Sequence, residues 1–143
     1  MQVKQVMTSG VECISPNTTV QEAARKMKTL NVGPLPICDN DRLTGILTDR
    51  DITVRVAAEG RNPATTTVRE AMTPEVIYCF EDDSVRDAAQ LMEQKQIRRL
   101  LVLDRAKRLV GIVSLGDLAA KTHDKPLAGD VLERVSKPAA PVR

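Results

Sequence analysis

The sequence predicts an α+β fold built from two β-α-β-β-α repeats that pack face to face about an approximate two-fold axis. The length of 143 residues suffices for one ordinary domain or two very small ones. Apolar residues of the first half recur in order in the second half, and in each half a helix-period segment precedes two short apolar strands. Because a unit of about 60 residues buries only about 60% of its unfolded surface and is marginal alone, the two copies are expected to pack together.

The repeat is visible as residue pairs at one offset. Met7-Thr8 recurs as Met72-Thr73, 65 residues later. The same offset pairs seven further residues with identical or similar ones: Val20 with Val85, Ala23 with Ala88, Met27 with Met92, Val32 with Ile97, Leu35 with Leu100, Ile37 with Val102 and Asp39 with Asp104. One inserted residue then raises the offset to 66, which aligns Gly45 to Thr48 with Gly111 to Ser114, and Asp51 with Asp117. Ordered matches of this extent indicate a tandem duplication.

The elements of the first copy follow from local signals. An extended segment, Glu12–Ile14, precedes a helix that Thr19 caps and that continues to Leu30, since apolar residues recur there at helical spacing. Two apolar runs, Val32–Ile37 and Leu43–Leu47, are separated by a polar turn and predict a hairpin. A second helix is predicted from Asp49 to about Glu59.

The second copy repeats this order. The predicted elements are the extended segment Val76–Phe80, a helix that Ser84 caps, the strands Ile97–Leu103 and Leu109–Val113, and a helix from Leu115 to about Thr122. We therefore place the repeats at residues 1–60 and 67–124, with a linker at 61–66 and a tail at 125–143. Thr67–Glu70 is expected to open a short helix, and Leu127–Val135 is expected to form an amphipathic one.

Composition and charge exclude several classes of protein. Twenty-one Lys and Arg against nineteen Asp and Glu leave a formal net charge of +2, too balanced for a polyanion binder held by bulk charge. One Phe, one Tyr and no Trp argue against proteins that stack single-stranded bases on aromatic side chains. No apolar run approaches the ~18 residues of a membrane span, and the N-terminus lacks the apolar stretch of a signal peptide. We expect a cytoplasmic protein with an aliphatic core that binds neither nucleic acid nor membranes.

The cysteines and the single histidine predict neither a metal site nor an enzyme. Cys13, Cys38 and Cys79 form no CxxC pair, so the ligand spacing of a structural zinc site is missing. An odd count favours reduced, buried thiols, although Cys13 and Cys38 each lie near the end of an early strand and could pair. His123 is expected to be an exposed residue at a helix end, and no P-loop is present.

The best-matched stretch in both copies is a glycine, two apolar residues, a hydroxyl residue, two variable positions and an aspartate. Thr48 with Asp51, and Ser114 with Asp117, have the spacing of a helix N-cap and its N3 acid. A carboxylate fixed in the first turn can also accept two hydrogen bonds from a cis-diol such as ribose, helped by the neighbouring hydroxyl. The spacing is compatible with both roles and does not choose between them.

With these motifs the duplicated unit resembles a tandem pair of cystathionine-β-synthase (CBS) domains, a Bateman module, over residues 1 to about 123. The resemblance is to stand-alone bacterial signalling proteins. It implies a non-enzymatic sensor, without a cofactor, that binds AMP, ADP, ATP or S-adenosylmethionine as a regulatory ligand in clefts between the repeats. It also implies a homodimer and leaves room for a partner enzyme in trans. The alternative is a structural or protein-interaction module that regulates a partner without binding nucleotide.

The resemblance also implies roles for individual residues. Asp51 and Asp117 would hold the ribose hydroxyls with help from Thr48 and Ser114, and adenine would lie near four further residues: Val32, Ile97, Glu12 and Ile77. The phosphates would meet Arg98 and Arg99, where the first copy has Gly33-Pro34, or Arg50, where the second copy has Gly116. Two adjacent arginines also fit a solvated strand edge. We therefore expect two unequal sites.

Overall fold

The computed structural model describes residues 1–122 and 125–136, and its order of elements matches the predicted duplication. A 3-10 turn at Val3–Gln5 precedes the first strand. The strands are β1 (Thr8–Ser9), β2 (Leu35–Asp39), β3 (Arg42–Leu47), β4 (Tyr78–Phe80), β5 (Arg99–Leu103) and β6 (Leu109–Ser114). The helices are α1 (Val20–Leu30), α2 (Asp49–Ile52), α3 (Val68–Ala71), α4 (Val85–Lys95), α5 (Leu115–Lys121) and α6 (Lys125–Val135).

The chain divides into two compact units, each built around one repeat. The first-repeat unit contains residues 11–76 and 107–109. The second-repeat unit contains residues 1–10, 77–106 and the described residues from 110 onward. The predicted boundaries at 1–60 and 67–124 follow the repeats along the sequence. The compact units of the structure do not coincide with these ranges.

The difference arises because each repeat contributes its N-terminal segment to the other repeat's unit. Thr8 and Ser9 pair antiparallel with Ile112 and Gly111 of β6. At the equivalent place in the first-repeat unit, Thr73 forms an antiparallel bridge with Ile46 of β3. The Met-Thr segments that mark the duplication are thus edge partners of the two glycine-containing strands.

In the first-repeat unit, α1 packs beside an antiparallel β2–β3 hairpin. Thr19 caps α1 by accepting a hydrogen bond from the Glu22 N–H at 3.2 Å. Asn31, with φ of 54°, ends the helix in the left-handed conformation that suits a C-terminal cap. This cap explains why β2 begins at Leu35 rather than at the predicted Val32.

The second-repeat unit holds a four-stranded sheet in the order β1-β6-β5-β4. Ser84 caps α4 by accepting from the Asp87 N–H at 3.0 Å, and Gln96 ends it with φ of 53°. β5 accordingly begins at Arg99, two residues after the predicted start. β4 pairs in parallel with β5 over three residues.

Two predicted elements of the first repeat are corrected. Glu12–Ile14 does not form a strand; Ile14 makes a single parallel bridge with Ile37. The second helix, predicted from Asp49 to about Glu59, is a four-residue α-helix followed by a π-helical turn at Thr53–Ala57. The predicted short helix after Thr67 and the helix near Leu127–Val135 are confirmed as α3 and α6.

The cysteines depart from the expectation of reduced thiols. Cys13 and Cys38 are joined by a disulfide, with Cα atoms 5.6 Å apart. The backbone brings them together, because the Cys38 N–H donates to the Ile14 carbonyl at 3.0 Å. Cys79 is a free, buried thiol.

Both cores are aliphatic, as the composition predicts. The first-repeat core is formed by Ile14, Val20, Ala23, Met27, Leu35, Ile37, Leu47, Val56, Val68 and Ala71. The second-repeat core includes Met92, Leu100, Val102, Leu118, Val131 and Val135. Within the described part of the chain, no helix combines the length and apolar character needed to cross a membrane.

Candidate functional site

Both copies of the repeated motif form a capping box at a strand-to-helix junction. The Asp51 N–H donates to Thr48 Oγ1 at 3.1 Å, while the Thr48 N–H donates to Asp51 Oδ2 at 2.9 Å. Ser114 and Asp117 make the same two hydrogen bonds, at 3.1 and 2.8 Å. The structural role that the spacing predicted is confirmed. It uses one carboxylate oxygen of each aspartate and leaves Oδ1 for other contacts.

The motif glycine is explained by a close approach of the exchanged segment. A Cβ atom on Gly111 would lie 2.7 Å from Met7 Sδ and 2.7 Å from the Thr8 carbonyl oxygen. On Gly45 it would lie 2.8 Å from both Met72 Sδ and the Thr73 carbonyl oxygen. A side chain at either position would push the Met-Thr segment away from the strand. Glycine therefore leaves the room that the edge pairing needs.

A basic residue four positions after each aspartate donates to backbone carbonyls at the start of the Met-Thr segment. Lys121 Nζ donates to the Val6 carbonyl at 2.9 Å and lies 3.2 Å from Asp117 Oδ1. Arg55 Nη1 donates to the carbonyls of Ala71 and Met72 at 3.0 and 2.9 Å. The two copies differ in one respect, since only Lys121 contacts the motif aspartate among the ion pairs of the described residues.

The second-repeat unit contains a cavity of about 510 Å³ that three predicted site residues line together: Arg98, Arg99 and Ser114. Its size lies within the range of small-molecule sites, about 300–1,000 Å³. The Arg98 carbonyl accepts a hydrogen bond from the Leu115 N–H at 2.8 Å, which fixes the strand entrance against the start of α5. Leu115, Gly116 and Ala119 add an apolar wall to this basic rim.

The remaining wall of this cavity comes from α6, which the sequence did not point to. Gly129 and Leu132 of this helix line the cavity. Leu132 is 50% exposed, whereas Val131 and Val135 are buried and hold the helix on the second-repeat core. The amphipathic pattern predicted the helix, but no motif connected it with the site.

The equivalent place in the first-repeat unit has a different charge. Where the second copy has Arg98 and Leu115, the first copy has Gly33 and Asp49. These two residues are adjacent, because a Cβ on Gly33 would lie 3.2 Å from Asp49 Oδ1. Arg50 is exposed beside them. One carboxylate and one guanidinium thus stand where the second copy has a pair of arginines, so the first copy has less positive charge at this place.

The family-model comparison identifies what the duplicated unit is. The model of the CBS domain matches the chain twice, at residues 3–58 and 68–124. The chain belongs to the CBS-domain family. The resemblance inferred from the motifs is confirmed, and α6 lies outside both matched segments of the CBS pair.

Relatives and solved structures agree with this assignment. The CBS domain-containing protein YhcV of Bacillus subtilis strain 168 is 47% identical over 134 residues, covering 94% of each chain. The CBS domain pair of protein MJ0100, in complex with 5′-methylthioadenosine and S-adenosyl-L-methionine, is 31% identical with a TM-score of 0.75, over 87% of this chain and 98% of that one. CBSX2 in complex with AMP is 26% identical with a TM-score of 0.73, over 85% and 96% of the two chains.

The other predicted site residues lie at separate places in the two CBS repeats. Glu12 forms an ion pair with Lys26 at 2.7 Å, and Val32 is 40% exposed just after α1. Ile77 and Ile97 pack against the second-repeat core. Asp117 is held at the start of α5 but does not line the cavity. His123 lies outside the described residues.

The clear shifts in pKa occur away from these site residues. Burial, followed by the charge of Asp83, raises the pKa of Cys79 to about 12. A hydrogen bond from the Thr67 backbone is the main cause of the lowered pKa of Glu70. No three His, Cys, Asp or Glu side chains of residues 1–122 and 125–136 are grouped so that they could hold a metal ion.

Proposed function

We propose that this CBS-domain pair is a non-enzymatic regulatory sensor that binds an adenosine-containing ligand through its second repeat. The observation that carries the proposal is the cavity of about 510 Å³ lined by Arg98, Arg99 and Ser114, adjoining the capped helix start that holds Asp117. Guanidinium groups can bind phosphate with two parallel hydrogen bonds. The ligand-bound CBS structures of MJ0100 and CBSX2 support an adenosine compound as the ligand class.

Asp117 is proposed to hold the ribose hydroxyls while it continues to cap α5. Its side chain is 16% exposed, and Oδ1 is engaged by the more exposed Lys121 at 3.2 Å. A carboxylate oxygen has more than one lone pair, so a sugar hydroxyl can donate to Asp117 Oδ1 beside the lysine. In the first repeat we propose the same role for Asp51, with Thr48 beside it.

The two repeats are proposed to bind unequally. Phosphate is expected at Arg98 and Arg99, and it is disfavoured beside Asp49 because like charges repel. Val32 and Glu12 of the first repeat, and Ile77 and Ile97 of the second, remain the residues proposed to surround adenine. A homodimer, a cytoplasmic location and a partner enzyme regulated in trans are further parts of the proposal.

Isothermal titration with adenosine, AMP, ADP, ATP and S-adenosylmethionine tests the proposal. We expect the wild-type chain to bind at least one of these compounds, and the double variant Arg98→Gln/Arg99→Gln to lose at least tenfold in affinity for a phosphate-bearing one. Hydrogen bonds to charged groups contribute about 1.5–3 kcal/mol each, and about 1.4 kcal/mol corresponds to a factor of ten. The exposed Arg25 of α1 provides a control, since Arg25→Gln removes a charge from the other unit.

Asp117→Asn tests the ribose role without deleting the cap, because an amide oxygen can still accept the Ser114 N–H. Its matched control is Glu70→Gln, which alters the N3 acid of another capping box. We expect Asp117→Asn to weaken adenosine binding and Glu70→Gln to leave it unchanged. If no adenosine compound binds the wild type, or if Arg98 and Arg99 can be replaced without effect, the sensor proposal is wrong and a protein-interaction module is favoured.

A further inference from the structure

We propose that α6 is a ligand-responsive wall of the cavity in the second-repeat unit. Phosphate groups held by Arg98 and Arg99 would stabilise α6 in its docked position, and the helix would undock more often when the cavity is empty. The inference rests on the proposed nucleotide binding, and it adds a regulated element that lies beyond both segments matched by the CBS family model.

α6 is attached to the second-repeat core by a few apolar side chains. Val131 is fully buried, Val135 is 8% exposed, and Leu127 packs at the edge of the same core. Two polar contacts at the helix end are long. Gln96 Nε2 donates to the Arg134 carbonyl at 3.5 Å, and Arg134 Nε lies 3.6 Å from Glu93 Oε2. Three apolar side chains thus anchor α6 along its length. A short helix at the edge of a core can open locally without global unfolding.

One side of α6 faces the cavity. Gly129 and Leu132 line it together with Arg98 and Arg99. A ligand placed between these walls would contact α6 in the docked state and lose those contacts when the helix leaves. Binding and docking are then coupled, because a ligand shifts an equilibrium toward the state for which it has the higher affinity.

A glycine lies in the middle of α6. Gly129 is the fifth residue of an eleven-residue helix, where glycine lowers helix stability relative to alanine. Among the described residues, a Cβ on Gly129 would meet no atom within 4 Å outside its own helix backbone and chain neighbours, so packing there does not require glycine. Gly129 therefore lowers the stability of α6 and leaves more space in the cavity. Both effects are expected of a helix whose docking depends on whether a ligand occupies the cavity.

The charge of the rim indicates which adenosine compounds would act on α6. Two guanidinium groups favour an anionic ligand over S-adenosylmethionine, whose sulfonium and ammonium groups are positive. The apolar wall of Leu115, Ala119 and Leu132 suits the uncharged part of such a ligand. ATP and ADP are therefore expected to dock α6 more strongly than adenosine.

Hydrogen-exchange mass spectrometry on the full chain tests the inference with ATP as the probe and adenosine as the uncharged comparison. At an ATP concentration of about one hundred times its Kd, exchange of the amides in 125–135 should slow by up to about a hundredfold, because only the docked state binds. Peptides that cover α3, which contains no proposed site residue, serve as the internal reference.

The outcomes separate the two proposals. Protection around Arg98, Arg99 and Ser114 with none in 125–135 would leave nucleotide binding standing and overturn the role of α6. Absence of ATP binding, measured by titration on the same sample, would overturn both. Equal protection of α6 by adenosine and ATP would overturn the coupling to phosphate.

Variants at Gly129 test the wall directly. Gly129→Ala should slow exchange in α6 about fivefold without ATP and reduce the further effect of ATP, because the helix is already more stable. Gly129→Leu has similar helix propensity but fills the cavity, so it should weaken ATP binding about tenfold relative to Gly129→Ala. Equal ATP affinity of the two variants would show that α6 does not bound the binding site.

Discussion

Replacing the motif glycine of the second repeat should destabilise the protein by steric contact alone. In Gly111→Ala the new Cβ would lie 2.7 Å from Met7 Sδ and from the Thr8 carbonyl oxygen, whereas ordinary contact begins at 3.4 Å. The sulfur can move, but the carbonyl belongs to the β1–β6 pairing. The backbone of Gly111 does not have the positive φ that favours glycine, so no conformational strain is added.

The magnitude follows from the rigidity of that pairing. Overfilling a well-packed site costs about 1–3 kcal/mol, which outweighs the benefit of about 0.5–1 kcal/mol expected when alanine replaces glycine within a strand. The difference is a net loss of up to about 2.5 kcal/mol, and at about 2–4 °C of Tm per kcal/mol for a chain of this size the expected fall is up to about 10 °C. Gly45→Ala should behave alike, because its contacts with Met72 and Thr73 are both 2.8 Å.

Thermal and urea unfolding followed by circular dichroism measure the effect. Gly129→Ala is the matched control, since within the described part of the chain its Cβ would meet no atom of another element within 4 Å, and the alanine should stabilise α6. Adding Met7→Ala to Gly111→Ala should recover part of the loss in a double-mutant cycle, because the sulfur is one of two obstructions. A Gly111→Ala protein as stable as the wild type would refute the close-approach explanation of this motif glycine.

Three other perturbations have expected outcomes. Lys121→Met should lower the free energy of unfolding in urea by about 1 kcal/mol. The expected loss is smaller than for a buried charged hydrogen bond, because the Lys121 side chain is 45% exposed. An unchanged urea midpoint would contradict this expectation. Because the pKa of Glu70 is lowered in the folded state, its carboxylate stabilises the fold at pH values above its ordinary pKa of 4.5. This contribution is lost as the pH falls through the lowered pKa. Glu70→Gln should therefore show a smaller decrease of Tm on acidification below pH 4.5 than the wild type, and an identical decrease would show that the carboxylate does not contribute. A thiol assay near neutral pH should find no reactive thiol in the native protein, because burial raises the pKa of Cys79 to about 12. After unfolding without reductant it should find one thiol, because Cys13 and Cys38 are paired. A count of three would refute the disulfide.

Elements with strong local signals could be predicted from the sequence. α1 was expected from a cap at Thr19 and an apolar period, and it begins and ends as predicted. The starts of β2 and β5 were placed too early, because Asn31 and Gln96 adopt left-handed C-caps after their helices. Asn at such a position is a recognised signal, whereas Gln is not.

The exchange of N-terminal segments could not be predicted from local patterns. Thr8 and Ser9 form a strand of two residues whose partner lies about one hundred positions away in β6. The duplication places Met7-Thr8 at the start of the first repeat and contains no information about which repeat will pair with it. The sequence therefore identifies the repeats correctly, while pairing between distant segments decides the compact units.

The residues of the candidate site were likewise only partly predictable from the sequence. The resemblance to CBS pairs names Arg98, Arg99 and Ser114 as binding residues but leaves open whether the arginines and Ser114 share one site, and the structure brings the three to one cavity. The contrast of Asp49 with Leu115 was available from the repeat alignment at offset 66 and was missed. Gly129 and Leu132 could not be found this way, since α6 has no counterpart in the first repeat.

Spacing alone could not distinguish capping from ligand binding at Asp51 and Asp117, because both roles require the same geometry. A carboxylate that caps its own helix is held by a backbone N–H at one oxygen, and this restraint fixes the direction of the other oxygen. A ribose diol needs an acceptor with a fixed direction, since a freely rotating side chain would lose conformational entropy on binding. In the proposed function the capping box thus orients the aspartate for the ribose, and the neighbouring residues decide whether a ligand binds there. In the second repeat those neighbours are two arginines and a cavity, and in the first they include a second carboxylate.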